Sequence, residues 1–207
     1  VLEGSVQLRQ LNQRGLTIEG DNLIWTPSQS RMVINQRPKA NDGKAQIRSR
    51  ELVFQQDTEV LEFKGPTQLN RVDGTNAAST VVRGGHGTWN LKSGLLQAPG
   101  PVQAIRSDGR TLSASGLDGN TRQGYLDLQQ PVTLVLESDR GRITAGRTRW
   151  LFSAEQLQSD QPIQAELKNS KVQGRGFKLD QRTGTVIISN SCRVEQTLET
   201  LTAQRCA

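Results

Sequence analysis

The sequence has few aromatic residues, few cysteines and almost no histidine. Aromatic residues make up 4% of the 207 residues, hydrophobic residues make up 33%, and there are two cysteines and one histidine. Apolar stretches are short, so none approaches the roughly 20 apolar residues of a membrane-spanning helix. A lone histidine, His86, with no cysteine nearby cannot form a zinc site. This composition argues against a large spherical core and against a metal centre.

The sequence also lacks the usual signatures of catalysis. No Gly-x-Ser-x-Gly nucleophile motif occurs, and the glycine-rich segment 83–87 lacks the lysine and the helix of a phosphate-binding loop. The aspartates of the Asp-Gly pairs are turn formers. Acidic residues do not recur as a pair on one strand face, as a polysaccharide-cleaving enzyme needs. We therefore predict no enzymatic activity, no catalytic residues and no cofactor.

The charge is biased towards positive. The formal net charge is +6, and 19 of the 26 basic residues are arginines. Arginine binds phosphate through its planar fork, so this bias favours an anionic partner such as a nucleic acid, a phosphorylated lipid or an acidic polysaccharide; alternatively it serves only solubility. The sequence has no dense basic run and no interleaving of arginine with aromatic residues. We therefore expect no nucleic-acid binding.

The strongest signal is an internal repeat. An aliphatic residue, any residue and a small residue recur seven times, with the small residues 29, 35, 30, 31, 29 and 29 positions apart. A large residue usually follows five positions later, and a proline about seventeen positions later. The small residues are Gly20, Ser49, Gly84, Ala114, Ala145, Gly174 and Ala203; the large ones are Trp25, Phe54, Trp89, Trp150 and Leu179; the prolines are Pro38, Pro66, Pro101, Pro131 and Pro162. Gly119 stands where the fourth copy should have its large residue.

Within each repeat the hydrophobic period is two. Leu126 and Leu128 alternate with polar residues, as do Leu61 and Phe63, and such alternation is typical of half-buried β-strands. Asp-Gly pairs and single glycines separate these runs as turn signals. Each unit of about 30 residues therefore predicts two antiparallel strands, with the proline at a bulge or an unpaired edge. The chain is predicted to be a single repetitive all-β domain over residues 1–207.

Two segments carry a resemblance to a known family. Residues 16–25 (LTIEGDNLIW) and 124–132 (GYLDLQQPV) resemble the repeats of the LptA/LptC (OstA-like) lipopolysaccharide-transport family. The resemblance covers essentially the whole chain and is greatest to LptC, in particular to the long LptC-like proteins of cyanobacteria. It implies an elongated, antiparallel, twisted β-jellyroll that is open and taco-like.

The same resemblance implies a role in the periplasm. In this family the concave interior shields the acyl chains of lipopolysaccharide, or a similar acylated glycolipid, between the inner-membrane exporter and the outer membrane. It also implies an inner-membrane tether in an N-terminal segment outside this sequence, contact with an inner-membrane ABC transporter, and edge-strand pairing with other Lpt-type jellyroll proteins.

The alternating apolar residues are the candidates for a lipid groove. They are Leu61, Phe63, Leu96, Leu126, Leu128, Val132, Leu134, Leu151, Ile163, Val186 and Ile188. Alternation predicts one buried face but not what covers it, so a closed, dry core remains the alternative. The aromatic column of Trp25, Phe54, Trp89 and Trp150 is interpreted as core. One rival function is a structural β-solenoid or adhesin-like scaffold with a filled core. The other is a polysaccharide-degrading β-helix, which would need clustered carboxylates that the sequence does not provide.

The last two expectations concern the cysteines and the chain ends. Aligned with an earlier copy, Cys192 and Cys206 fall on either side of a hairpin turn, nearly opposite each other. We therefore predict one disulfide between them, which requires an oxidising compartment. The sequence begins and ends within a repeat, and we expect it to be a fragment of a longer repetitive protein.

Overall fold

The structure is a computed structural model that describes residues 1–9, 16–41, 43, 45–71, 80–136, 141–196 and 200–203. The chain divides into two compact units, Val1–Ser107 and Asp108–Ala207. The prediction of one domain over the whole chain stays a prediction.

The first unit consists of twelve described strands and a single-turn 3₁₀ helix at Pro27–Gln29. Every strand pairing described in it is antiparallel. The strands are β1 (Leu2–Arg9), β2 (Thr17–Thr26), β3 (Arg31–Gln36), β4 (Lys39–Asn41), β5 (Ala45–Arg48), β6 (Glu51–Gln55), β7 (Val60–Lys64), β8 (Thr67–Arg71), β9 (Thr80–Gly84), β10 (Gly87–Asn90), β11 (Leu95–Ala98) and β12 (Val102–Arg106).

The second unit consists of ten described strands, again with antiparallel pairings. They are β13 (Thr111–Ala114), β14 (Leu117–Asn120), β15 (Tyr125–Leu128), β16 (Val132–Val135), β17 (Gly141–Ala145), β18 (Thr148–Leu151), β19 (Gln156–Leu167), β20 (Ser170–Asp180), β21 (Val186–Gln196) and β22 (Thr200–Ala203). No α-helix occurs in the described ranges. The prediction of an antiparallel all-β chain is confirmed.

Most of the strands predicted from the repeat are divided into two. β7 and β8 lie on either side of Gly65-Pro66, and β15 and β16 lie on either side of Gln130-Pro131. Proline has no N–H to donate to a ladder, so the ladder of hydrogen bonds stops at the repeated proline. The prediction that the proline lies outside regular pairing is confirmed at these two sites.

In the first unit the two half-strands belong to two different sheets. The first sheet has the order β2-β3-β6-β7-β10-β11. The second sheet has the order β2-β4-β5-β8-β9-β12. β2 joins the two, because residues 17–19 pair with β4 and residues 22–26 pair with β3. We call the line where the chain passes from one sheet to the other the seam.

The second unit repeats this plan. Its first sheet is β14-β15-β18-β19, and its second sheet is β13-β16-β17-β19. The long strands β19, β20 and β21, of 12, 11 and 11 residues, run through both sheets. Their register shifts at the seam, between Ser159 and Pro162 and between Gln173 and Arg175. These irregularities let the long strands take part in both sheets.

Alternate residues of both sheets are buried. In the second unit Leu126 and Leu128 of the first sheet are 2% and 1% exposed, and Val132 and Leu134 of the second are 3% and 6% exposed. A buried sheet face needs a covering layer, so the two sheets of a unit pack against each other. The core therefore lies between the sheets.

One row of inward-facing residues crosses the first sheet of the first unit. Paired residues run in the order Trp25, Met32, Phe54, Leu61, Trp89 and Leu96. All are buried except Trp25, which is 51% exposed. Pairing between β1 and β2 stops at Leu2 opposite Leu23, so the strand end carrying Trp25 is uncovered. The prediction of aromatic core holds for Phe54, Trp89 and Trp150 and is wrong for Trp25.

The exception at Gly119 has a steric cause. In the second unit Gly119 pairs with Leu126 across β14 and β15. A Cβ at Gly119 would overlap the backbone of Tyr125 and Leu126. The chains approach too closely for a side chain, so the fourth copy has glycine where other copies have a large residue.

Candidate functional site

The eleven predicted groove residues lie in two separate units. Leu61, Phe63 and Leu96 belong to the first unit and the other eight to the second. Nine of the eleven are buried hydrophobic residues, while Leu151 and Val186 are half-buried. Leu61 has no solvent exposure, and Leu128 and Ile163 are each 1% exposed. In this structure side chains fill the space between the sheets, and the lipid-lining role of these residues stays a prediction.

Leu151 does not share the face of the other candidates. It follows Trp150 directly and pairs with Tyr125, whereas Trp150 pairs with Leu126. Successive side chains of a strand point to opposite faces. Because Trp150 is buried between the sheets, Leu151 lies on the outer face. Its assignment to the interior is corrected by the strand register.

The free ends of the first sheets, away from the seam, carry a recurrent turn. Each turn begins at an Asn or Asp (Asn90, Asn120 and Asp180) and ends at a glycine four residues later. The side-chain oxygen of this first residue accepts a hydrogen bond from at least one backbone N–H within the turn. At Asp180 the N–H groups of Thr183 and then Arg182 hold the pKa of the carboxyl below its ordinary value. The spacing [Asn/Asp]-x-x-x-Gly is visible in the sequence, but only its glycines were recognised there as turn signals.

A cluster of ions lies on the outer face of the second unit. The guanidinium of Arg149 donates to both carboxylate oxygens of Asp127, at 2.7 and 2.8 Å, and lies 4.4 Å above the ring of Tyr125. Arg147 lies 3.3 Å from Asp127 and 3.3 Å from Asp118. The hydrogen bond from Arg149 holds the pKa of Asp127 below its ordinary value. The cluster lines a surface cleft of about 550 Å³ on this face.

Asp118 and Asp127 form a carboxylate pair that the sequence pattern did not reveal. They are directly paired across β14 and β15, so the two carboxylates lie side by side on one face of the sheet, on different strands. Both contact arginine, and the pKa of Asp127 is lowered. A glycosidase needs one carboxyl with a raised pKa to act as the acid. The pair therefore has the electrostatics of an ion-pair network.

A second cleft, of about 790 Å³, lies beside the seam of the first unit. Its acidic residue Glu19 accepts a hydrogen bond of 2.8 Å from Gln7 and one of 3.3 Å from Lys39. These two bonds, Gln7 first, hold the pKa of Glu19 below its ordinary value. Arg37 pairs with Asp21 in the same cleft. The lining combines charged and polar side chains with Val6, Gly20 and Pro38, and includes none of the predicted groove residues.

Over the described ranges, no three His, Cys, Asp or Glu residues come together as a metal site. No helix in those ranges is long and apolar enough to cross a bilayer. Cys192 is fully buried and is disulfide-bonded. Cys206 lies outside the described residues, so the predicted Cys192–Cys206 pairing stays a prediction.

The fold defines a class of protein: an antiparallel jellyroll of two apolar-faced sheets joined along a seam. No family model and no curated protein matches the sequence. Among solved structures, the chain is similar to the crystal structure of LptH, the LptA-homologous periplasmic component of the conserved lipopolysaccharide transport device from Pseudomonas aeruginosa. The TM-score is 0.53 at 12% identity, over 60% of this chain and 96% of that chain. At this identity the likeness shows the fold, which confirms the expected jellyroll.

Proposed function

We propose that the chain is a periplasmic component of a lipopolysaccharide-transport bridge, which holds lipid acyl chains between the two sheets of a unit. The observation that carries this proposal is the fold shared with LptH, over 96% of that chain. The apolar interior supports it, because burying an acyl chain is favourable by about 0.8 kcal/mol per CH₂ group. The net charge of +6 suits the phosphorylated head of such a lipid.

The architecture provides a way for lipid to enter a filled interior. The ladder hydrogen bonds lie within each sheet, whereas the side chains buried between the sheets are mostly apolar. The sheets are connected at the seam by continuous strands such as β19 and β20. Separating the free ends therefore exchanges one set of apolar contacts for another and breaks no ladder.

The assembly partners follow from the same proposal. Within the described part of the chain, β1 pairs with β2 alone, so its other edge is available for strand addition. We assign to this edge the pairing with another Lpt-type jellyroll. An LptC-like role, an N-terminal tether to the inner membrane and contact with an ABC transporter belong to this proposal.

A photocrosslinking pair tests lipid binding directly. Val186 and Ile187 are adjacent, aliphatic and both half-buried. Val186 pairs with the buried Leu179 and faces the interior, whereas Ile187 pairs with Lys178 on the outer face. With p-benzoyl-phenylalanine in place of Val186, we expect crosslinking to purified lipopolysaccharide; the same substitution of Ile187 is the matched control.

The rival function is a structural scaffold with a permanently filled core. It is favoured by one observation, the near-complete burial of Leu61, Leu128 and Ile163. The same experiment separates the two functions, since a scaffold gives no crosslink at either position. Displacement of an apolar fluorescent probe by an acylated anionic glycolipid provides an independent measurement.

A further inference from the structure

The side chain of Arg110 bridges the free ends of the two sheets in the second unit. Arg110 lies in the turn that precedes β13, at the free end of the second sheet. Its Nη1 donates a hydrogen bond of 2.7 Å to the backbone carbonyl of Gln181, which lies in the turn after β20 at the free end of the first sheet. The two residues are 71 positions apart. This contact spans the side of the unit opposite the seam.

The guanidinium is held in place from its own side. Asp108 accepts a bond of 3.0 Å from Arg110 Nε and one of 2.8 Å from Nη2, and its other oxygen accepts the backbone N–H of Arg110 at 3.1 Å. The Arg110 side chain is only 15% exposed. Charge-assisted bonds of this forked kind are among the stronger ones in proteins. The arginine is therefore oriented towards Gln181 by its own turn.

The acceptor is also fixed. The Gln181 N–H donates 2.8 Å to the carbonyl of Glu155 in the neighbouring turn. The preceding residue, Asp180, accepts the N–H groups of Arg182 and Thr183. The carbonyl that Arg110 contacts therefore belongs to a well-braced turn.

The bridge lies at the border of the buried interior. Leu112, two residues after Arg110, is 5% exposed. Leu179, two residues before Gln181, is 1% exposed. An acyl chain that enters between the free ends here must pass the Arg110 side chain.

We propose that Arg110, oriented by Asp108, is a clasp that gates entry of acyl chains into the second unit. This inference rests on the proposed function. Opening breaks the bond to Gln181 and leaves the pair with Asp108 intact, so the arginine keeps a charged partner in both states. The clasp sets the rate at which the sheets part, while the apolar faces behind it provide the binding surface.

The test compares Arg110→Gln with Arg182→Gln. Arg182 lies in the turn that contains Gln181, is 63% exposed and forms a local ion pair with Asp180 at 3.5 Å. Two quantities are measured: hydrogen–deuterium exchange over residues 180–188, and the stopped-flow rate at which a fluorescent acylated glycolipid is taken up. For Arg110→Gln we expect both rates to rise about tenfold, the factor typical for loss of a hydrogen bond to a charged group. Arg182→Gln should behave as wild type.

The outcomes separate the clasp from the transport function. If Arg110→Gln does not fold, Arg110→Lys, which keeps the charge but lacks the fork, is used with the same expected direction. Glycolipid uptake by Arg110→Gln at the wild-type rate overturns the clasp and leaves the transport proposal standing. Absence of uptake by every protein, wild type included, overturns the transport proposal and the clasp together.

Discussion

Truncation of Leu128 measures how well the interior is packed. Leu128 is 1% exposed on β15, where it pairs with Leu117 on one side and Thr148 on the other. Leu128→Ala removes buried methyl groups and leaves a cavity, which typically costs about 2–5 kcal/mol. For a chain of this size each kcal/mol lowers the melting temperature by about 2–4 °C. A loss of about 3 kcal/mol therefore predicts a shift of roughly 6–12 °C.

The matched control is Leu167→Ala in the same unit. Leu167 is 40% exposed at the end of β19, so its truncation should change the free energy of unfolding by about 0.5 kcal/mol or less. Both variants are compared with wild type by urea unfolding and by calorimetry, in lipid-free buffer. Because both variants replace leucine by alanine, the difference between their free energies of unfolding measures the effect of burial at residue 128.

An equal, small effect of both truncations would refute this reasoning. It would mean that Leu128 contacts water in the lipid-free protein, and that the sheets are already apart. A large effect for Leu128 alone means that a lipid must displace packed side chains, as a gated interior requires.

Three further predictions follow from single contacts. Gly184 has a φ of 72°, so Gly184→Ala should cost about 1 kcal/mol of unfolding free energy, while Gly100→Ala, with open space around it, should cost close to zero. The pKa of Asp127 is lowered in the folded protein. Its ionised carboxylate therefore stabilises the fold above the unfolded pKa of about 3.9, and this stabilisation is lost as the pH falls through the folded pKa. The free energies of unfolding of wild type and Asp127→Asn, measured in urea between pH 7 and pH 2.5, should converge at the acid end. Thiol counting on the unfolded, unreduced protein should find no free thiol, and two free thiols would contradict the Cys192–Cys206 pairing. If these cysteines close a loop of roughly 15 residues, reduction should lower the free energy of unfolding by about 3 kcal/mol.

The local features of the fold were predictable from the sequence. Alternation with period two predicted the strands, and Asp-Gly predicted turns such as that at Gly109, whose φ is 87°. The repeated proline predicted where pairing stops, as at Pro131. Each of these features depends on the conformational preferences of a few neighbouring residues. Such preferences act at short range, so one copy of the repeat is enough to reveal them.

The division into two sheets was not predictable in the same way. A strand that bends at the seam keeps its inward and outward alternation on both sides of the bend, so the hydrophobic pattern looks continuous. Pro162 shows the ambiguity, because β19 continues through it with a register shift, whereas Pro131 separates two strands. The outcome depends on how neighbouring strands pair, which is not a local property.

Register also explains the corrected assignment of Leu151 and the carboxylate pair that the sequence pattern did not reveal. Trp150 and Leu151 are adjacent and both apolar, and only pairing with Leu126 shows which of them faces the interior. Asp118 and Asp127 lie nine positions apart, and they become neighbours only through the β14–β15 ladder. A pattern read along the chain contains no information on these cross-strand contacts.

The filled interior and the proposed transport role are physically compatible. An apolar sheet face must be shielded from water. The facing sheet and a row of acyl chains both do this through the hydrophobic effect, which contributes about 25 cal/mol per Å² of buried apolar surface in either case. Replacing the contacts with the facing sheet by contacts with acyl chains therefore changes the free energy little. The polar bridge between Arg110 and Gln181 has no equivalent in a lipid tail, so breaking it adds a cost of opening that the acyl chains do not offset. Under the proposed function, the residues that fill the interior determine whether lipid is held, and the clasp determines how fast it enters.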